Sequence, residues 1–375
     1  MVQFVVDAFG TAVGVKCDPQ ARGRLMEQWN RCLTDREPET TVTHTGGDLT
    51  NAADYSLSST LTVAAISAQS GQLLMFHACG LADPQSGRVA VLVAQSGTGK
   101  TTASIRLSQA GLGYVSDETI AIDDDLSVRR YPKPLSIVDD PGFPYEKSQH
   151  SPDDLGMAPL NELPLTAAAV VLLNRDREGA SEPALSDVDL IDGLVRVIPQ
   201  TSALPSLRDP LAKLATAVES IGGLLELTYS EIHEAKALLT ELLSAPPRSS
   251  ISGFSHHPAT NDLTTDGAPV QVTPPERVGA VRRAPYLDAI SQDGRVLLLV
   301  GTSCLVLDGP GAVLWLAANE KLAIAEAVRR SRELLGDHPD ADSLVHAAAL
   351  ELISHGILLP VDEPPVGDEA QPPAN

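Results

Sequence analysis

The segment Ala94-Gln95-Ser96-Gly97-Thr98-Gly99-Lys100-Thr101-Thr102 constrains this chain more than any other. It fits the P-loop pattern G-x-x-x-x-G-K-[ST], with alanine in place of the first glycine. A short continuous apolar run at 89–93 precedes it and reads as a strand buried on both faces. A helix is predicted over 101–110, ended by Gly111 at the C′ position. Glycines let backbone wrap an anion closely, and a helix N-terminus turns free N–H groups toward it. Lys100 offers a mobile positive charge to β- and γ-phosphates, and Thr101 offers a hydroxyl to Mg²⁺. Ser96, Gly97, Thr98, Gly99, Lys100, Thr101 and Thr102 are therefore expected to form a nucleotide site. The bland alternative, a glycine-rich turn that binds nothing, fits the strand–loop–helix context poorly.

The rest of the sequence limits what such a site serves. At 375 residues the chain exceeds the usual domain of about 100–200, so two or three domains are expected. It is 43% hydrophobic and 20% charged, which excludes wholesale disorder. Aromatic residues make up only 3%, too few for a base-stacking surface. Lys and Arg number 27 against 49 Asp and Glu, a net charge of −22. Such a chain repels nucleic acid and anionic lipid, so any phosphate must be held by a local cluster. Cys17, Cys32, Cys79 and Cys304 are scattered without C-x-x-C spacing, which argues against zinc. The opening MVQFVVDAFG has no basic n-region or long apolar h-region, and no apolar stretch reaches membrane length. A soluble cytoplasmic protein with reduced thiols is the expectation.

Composition also sets expected boundaries. Residues 1–60 read as a small α+β lobe of short strands with one helix at 20–33, and 61–243 as the nucleotide-binding domain. In the latter, short strands at 113–115, 119–122, 167–173 and 224–228 alternate with helices, an α/β pattern. Residues 244–277, rich in Pro, Ser, Thr, Asp and Asn, read as a disordered linker in which His256 and His257 are solvated. Residues 278–360 open with a hairpin turning at Gly294 and continue as three apolar-periodic helices, which suits a winged-helix-like α+β domain. An acidic, Pro-rich tail over 361–375 is expected to be disordered.

Around the loop, residues 113–115 run into Ser116-Asp117-Glu118. Adjacent acids beside a phosphate loop can hold Mg²⁺ and accept the proton of an attacking hydroxyl. Upstream lies His77, within Phe76-His77-Ala78-Cys79-Gly80. Lys133, between two prolines, is a further candidate for phosphate or substrate; Arg175, just past the apolar strand, is a candidate to reach a γ-phosphate, with a surface ion-pair partner as the default reading. The triple acid Asp123-Asp124-Asp125 reads as a solvated turn.

A His-containing strand, a hairpin, the loop at 94–101 and a strand ending in two acids together resemble the HPr kinase/phosphorylase-like P-loop family. That resemblance covers roughly 60–175. It implies an HPr-kinase-like core in which Asp117 is the catalytic base toward a serine hydroxyl and His77 the active-site histidine. By the same resemblance Glu118 is the metal-side acid, joining Thr101 and Asp117 as ligands of Mg²⁺, with ATP as phosphoryl donor. The second acid departs from the family's Asp-Asp, and the C-terminal signature that grips HPr has no counterpart here. The chain is thereby nearer to divergent kinases of ribosomally made peptides. Ala284-Pro285-Tyr286, the hairpin, residues 306–315 and the ending His355-Gly356-Ile357-Leu358 resemble the PqqD-type fold, which binds precursor peptides. That implies strand addition of an extended peptide on an exposed edge of the hairpin. The expected function is an ATP- and Mg²⁺-dependent serine kinase acting on a peptide or small protein, without nucleic acid or membrane. Homo-oligomerisation, which HPr kinases show, is a further expectation. The rival is an ATP-binding sensor or scaffold that recruits a partner through its C-terminal domain.

Overall fold

Arg88–Val93 lies inside a six-stranded mixed sheet of a computed structural model. The structure describes residues 1–46, 51–95, 98–140, 142, 147–179, 182–248, 253–259 and 273–361. The sheet runs in the order Ala184–Val188, Leu224–Tyr229, Thr166–Arg175, Arg88–Val93, Ala78–Ala82, Gly113–Ser116. Its three inner neighbours Leu224–Tyr229, Thr166–Arg175 and Arg88–Val93 are mutually parallel; the outer pairings are antiparallel. Val89, Ala90, Val91, Leu92 and Val93 are all buried, as a strand covered on both faces must be. Ala90 and Leu92 pack in one cluster with Ala103 and Leu107 of helix Lys100–Gln109 and Leu239 and Leu243 of helix Lys236–Ser244.

A second sheet stands beside the first, ordered Thr201–Ser202, Leu74–Phe76, Ile120–Ile122, Val128–Arg129. Two chain segments pass from one sheet to the other together. Leu74–Phe76 continues into Ala78–Ala82 with only His77 between, and Gly113–Ser116 continues into Ile120–Ile122 through 117–119. The backbone at this change of sheet is tied across, with Ala78 N donating to Glu118 O at 3.2 Å. His77, Asp117 and Glu118 therefore share one crossover.

The chain forms two compact units, Met1–Ser252 and Gly253–Asn375. The boundary expected at residue 60 falls inside helix Asn51–Gln69, which the sequence reading missed. Serine, threonine and β-branched residues weaken the helix signal there, and the buried stripe mixes Asp54, Ser58 and Thr62 with Leu57, Leu61 and Ala65. The hairpin Val2–Ala8/Thr11–Cys17, helix Pro19–Gln28 and this helix share a core with Met75, Ala121 and Tyr131. The amino-terminal lobe thus packs continuously onto the second sheet.

In the second unit, Asp288–Gln292 and Arg295–Val300 form the expected hairpin. Its two-residue loop, Asp293-Gly294, has φ of 50° and 78°, the left-handed pair that suits the twist of adjacent strands. Ser303–Leu307 adds on the far side of Arg295–Val300. Helices Gly309–Ala317, Ile324–Leu335 and Ala341–Ser354 then cover a core that includes Leu298, Leu314, Trp315, Val328 and Ile353. The expected linker over 244–277 needs correction, because Ser255–Pro258 within it is a strand paired with Asp288–Gln292. Its polar composition hides it from hydrophobic patterning. His256 and His257, expected in solvent, lie on this strand and meet Asp288 and Ser291. Neither edge of the hairpin is consequently open: one carries Ser255–Pro258 and the other Ser303–Leu307. Of the tail expected over 361–375, all but Val361 lies outside the described residues. Among the described residues no helix is long and apolar enough to cross a membrane.

Candidate functional site

Helix Lys100–Gln109 begins directly after Gly99, whose φ of 98° and ψ of 24° are left-handed. A Cβ at Gly99 would meet open space, so glycine is required there by backbone conformation and not by crowding. Thr98 closes the turn, its amide donating to Gln95 O at 3.3 Å and its hydroxyl also bonding that carbonyl. Ser96 and Gly97, two of the expected nucleotide-binding residues, lie outside the described residues. Lys100 is buried, and its Nζ donates to Ala94 O at 2.6 Å, tying the two ends of the loop together. Burial lowers the Lys100 pKa, against the pull of Cys79, Asp117 and Glu118.

A cleft of about 530 Å³ opens at this helix end. Gly99, Lys100, Thr101, Thr102, His77, Asp117 and Glu118 all line it, together with Lys133. Residues from four separated stretches of sequence thus meet in one volume. Thr101 Oγ1 donates to Asp117 Oδ2 at 3.0 Å. Asp117 is only 7% exposed, and its other oxygen accepts from Tyr114 OH at 3.1 Å. Burial, followed by the neighbouring Asp117 charge, raises the Tyr114 phenol well above its ordinary pKa, so it remains a donor.

Lys133 organises the acids more than the sequence suggested. It is 2% exposed, with Nζ at 3.1 Å from Asp117 Oδ1 and 3.2 Å from Glu118 Oε2. A third bond goes to Pro134 O at 3.0 Å, so all three ammonium donors have acceptors. Burial disfavours its charge, but the Asp117 and Glu118 carboxylates outweigh that and raise its pKa above the ordinary lysine value. Glu118 also lies 3.4 Å from Thr62 Oγ1, and that hydroxyl sits 2.9 Å from Tyr131 OH.

His77 Nδ1 is 3.0 Å from Glu118 O, and because a carbonyl only accepts, this nitrogen carries the proton in the bond. Burial, then the Lys100 charge, lower the His77 pKa, so the ring is neutral near pH 7. The opposite wall presents Tyr55, Ser58 and Ser59 of helix Asn51–Gln69, with Lys147 stacked over Tyr55 at 5.1 Å. Ser58 is 2% exposed, and its hydroxyl has no hydrogen-bond partner among the described residues. In a chain of net charge −22, the cleft gathers Lys100, Lys133 and Lys147 against two acids. That is a local cation cluster able to oppose the general repulsion of phosphate.

Sequence reasoning missed Tyr114, Ser58 and Lys147, which carry no local motif. The prolines on both sides of Lys133 were the visible signal, since they stiffen the loop that carries it. Other candidates stay apart from the cleft. Arg175 pairs with Glu231 at 3.0 Å, and the triple acid forms a turn in which Asp123 pairs with Arg129 at 2.6 Å. Cys79, buried beside Ser104, has its thiol pushed up to about 12 by burial and stays protonated.

No protein-family model and no curated protein matches the chain. Among solved structures the chain is similar to the Hpr(Ser) kinase/phosphatase from Coxiella burnetii, at 13% identity and a TM-score of 0.26. That similarity covers 45% of this chain and 92% of the other.

Proposed function

We propose that the chain is an ATP- and Mg²⁺-dependent serine kinase acting on a peptide or small protein. One observation carries the reading. The first turn of a helix that follows a left-handed glycine brings Lys100 and Thr101 against Asp117, with Thr101 Oγ1 and Asp117 Oδ2 3.0 Å apart. In this reading the P-loop, HPr-kinase-like core lies within the unit Met1–Ser252, with helix Asn51–Gln69 as one wall of its cleft, and residues 278–360 form a PqqD-like winged helix that recruits the acceptor.

The donor set fits the metal. A hydroxyl and two carboxylates in one cleft are hard oxygen ligands of the kind Mg²⁺ takes alongside substrate phosphates. Thr101, Asp117 and Glu118 would hold it. When bound, Mg²⁺ neutralises phosphate charge as it develops. The loop N–H groups and Lys100 bind the phosphates; engaging them releases Lys100 from Ala94 O. Asp117 takes the proton of the acceptor serine, while Lys133 and Tyr114 fix the carboxylate in place. His77, neutral, offers a hydrogen-bonding ring beside the acids. Phosphoryl transfer gains mainly from positioning and electrostatics, so this short list of groups suffices.

The Lys133 pairing gives the rival reading its own support. Both acids already have a counter-cation, as they would in an ATP sensor that needs no base. Asp117→Asn separates the two. A kinase loses transfer to serine-bearing peptides, followed by phosphopeptide mass spectrometry, and keeps ATP binding. Transfer that survives the substitution removes Asp117 as the base.

A further inference from the structure

The two walls of the cleft differ in how far their polar groups are already matched. On the side of the loop and the acids, Lys100 donates to Ala94 O, Thr101 to Asp117, and Lys133 to both acids and Pro134 O. The opposite wall is built from helix Asn51–Gln69 and strand Lys147–His150. Among the described residues, Ser58 Oγ on that helix is the buried polar side-chain atom of this cleft that lacks a hydrogen-bond partner. Lys147, among the described residues, pairs with no carboxylate; its ammonium rests over the Tyr55 ring, 5.1 Å from the centroid. A ring positions an ammonium without neutralising it, so the charge stays open to an anion.

A buried hydroxyl without a partner has lost its water and gained no bond in exchange. Its neighbours on the same buried stripe are matched, Asp54 to His44 and Thr62 to Tyr131, so Ser58 stands out between them. Serine turns about one side-chain torsion, so the hydroxyl can swing to an acceptor that enters the cleft. The neighbours also say which acceptor. One turn along the helix, Thr62 Oγ1 is 3.4 Å from Glu118 Oε2, so this stretch of wall stands beside the acid pair. A nucleotide whose inner phosphates lie on the loop presents its terminal phosphoryl there. That group spreads charge over three oxygens, more than the loop can surround from one side.

We infer that Ser58 and Lys147 form the far half of a terminal-phosphate clamp. The hydroxyl and the ammonium meet the γ-phosphoryl oxygens that face away from the loop, and so distinguish a nucleoside triphosphate from a diphosphate. They are specificity-determining residues; neither takes a proton. The inference rests on the kinase reading and adds to it a group that reads the donor's outermost phosphate from the side opposite the loop.

The test uses the full chain with Mg²⁺ and two probes, a non-hydrolysable ATP analogue and ADP, in isothermal titration. Ser58→Ala and Lys147→Gln should each weaken the ATP analogue by about tenfold, the scale of a hydrogen bond to a charged group, and leave ADP within about twofold. Equal weakening of both nucleotides, or of neither, would overturn the inference. In the latter case a raised KM for a serine-bearing peptide would assign the wall to the acceptor.

A second measurement separates a ligand-binding hydroxyl from a structural one. Ser58→Ala should raise the melting temperature of the nucleotide-free chain by about 2–4 °C, because it removes an unpaired buried hydroxyl. Ser56→Ala, at an exposed position of the same helix, reports the gain in helix propensity alone and should fall short of that rise. A Ser58→Ala chain that melts below wild type would show that the hydroxyl has a structural partner, and would overturn the inference as well. A wild-type chain that binds neither nucleotide would instead fail the kinase reading itself, and the inference with it.

Discussion

Lys133 in the first unit and Arg283 in the second are both buried basic side chains, and they are used in opposite ways. Arg283 in the second unit is 9% exposed and sends Nε to Trp315 O at 2.7 Å and Nη2 to Leu316 O at 2.9 Å. Those carbonyls belong to the last turn of helix Gly309–Ala317, whose C-terminal end favours a cation. The guanidinium also lies 3.8 Å from the Trp315 ring centroid. Its partners are carbonyls, an indole ring and the Tyr286 phenol, so Arg283 terminates a helix and stiffens a core. Lys133, more deeply buried, instead faces two carboxylates that line an open cleft. Burial of charge alone therefore does not mark a site. What marks it is a counter-charge that also faces volume where a ligand fits.

The comparison breaks first on turnover. Asp117→Asn should lower kcat for serine phosphorylation by about 10²- to 10⁴-fold, the usual contribution of a general base. Affinity for ATP should stay within a few-fold, and Arg283→Met should leave turnover of a short acceptor peptide nearly unchanged. A large loss in Arg283→Met would show that the second unit's buried cation is not merely structural.

Stability gives the next largest contrast. Lys133→Met strands two acids and should cost about 3–5 kcal/mol in urea unfolding, as breaking a buried ion pair does. Combining it with Asp117→Asn and Glu118→Gln should recover much of that loss. Arg283→Met leaves neutral carbonyls and the Tyr286 phenol behind and should cost about 1–3 kcal/mol. Equal losses for the two single variants would erase the distinction.

Nucleotide affinity sharpens it further. Lys100→Ala should weaken a non-hydrolysable ATP analogue with Mg²⁺ by about tenfold or more in isothermal titration, the scale of a charge-assisted bond. Unchanged affinity would mean that the loop cradles no phosphate.

The smallest effect is on pH. His77 has its pKa lowered by burial and then by Lys100; His257 has its own lowered by burial and then by Arg283. The unfolded chain therefore takes up these protons first, and stability present above the ordinary value of 6.5 declines as pH falls below it. Melting temperature should drop between pH 7.5 and 5.5, and His77→Gln should flatten that drop. A steeper decline in the variant would contradict the sign.

Legibility in the sequence followed locality. Residues 98–101 announce themselves because a left-handed glycine, a helix start and a cation must be consecutive to wrap an anion. The hairpin at Asp293-Gly294 was equally plain, since two positive φ angles leave few residue choices. Helix Asn51–Gln69 was not, because its buried face carries the polar Asp54, Ser58 and Thr62, and the partners of Asp54 and Thr62 come from elsewhere in the chain. Thr62, for example, meets Tyr131 and Glu118.

The sequence by itself determined the loop, the apolar strand before it and the neighbouring acid pair, because each depends on interactions within a few residues. Only tertiary structure decided that His77 and Asp117 share a crossover between two sheets, and that Lys133 pairs with both acids. It alone decided that Ser255–Pro258 is a strand. The physical reason is common to all three. A buried charge or an added edge strand is stable only through partners distant in sequence, and no local pattern records where those partners will be.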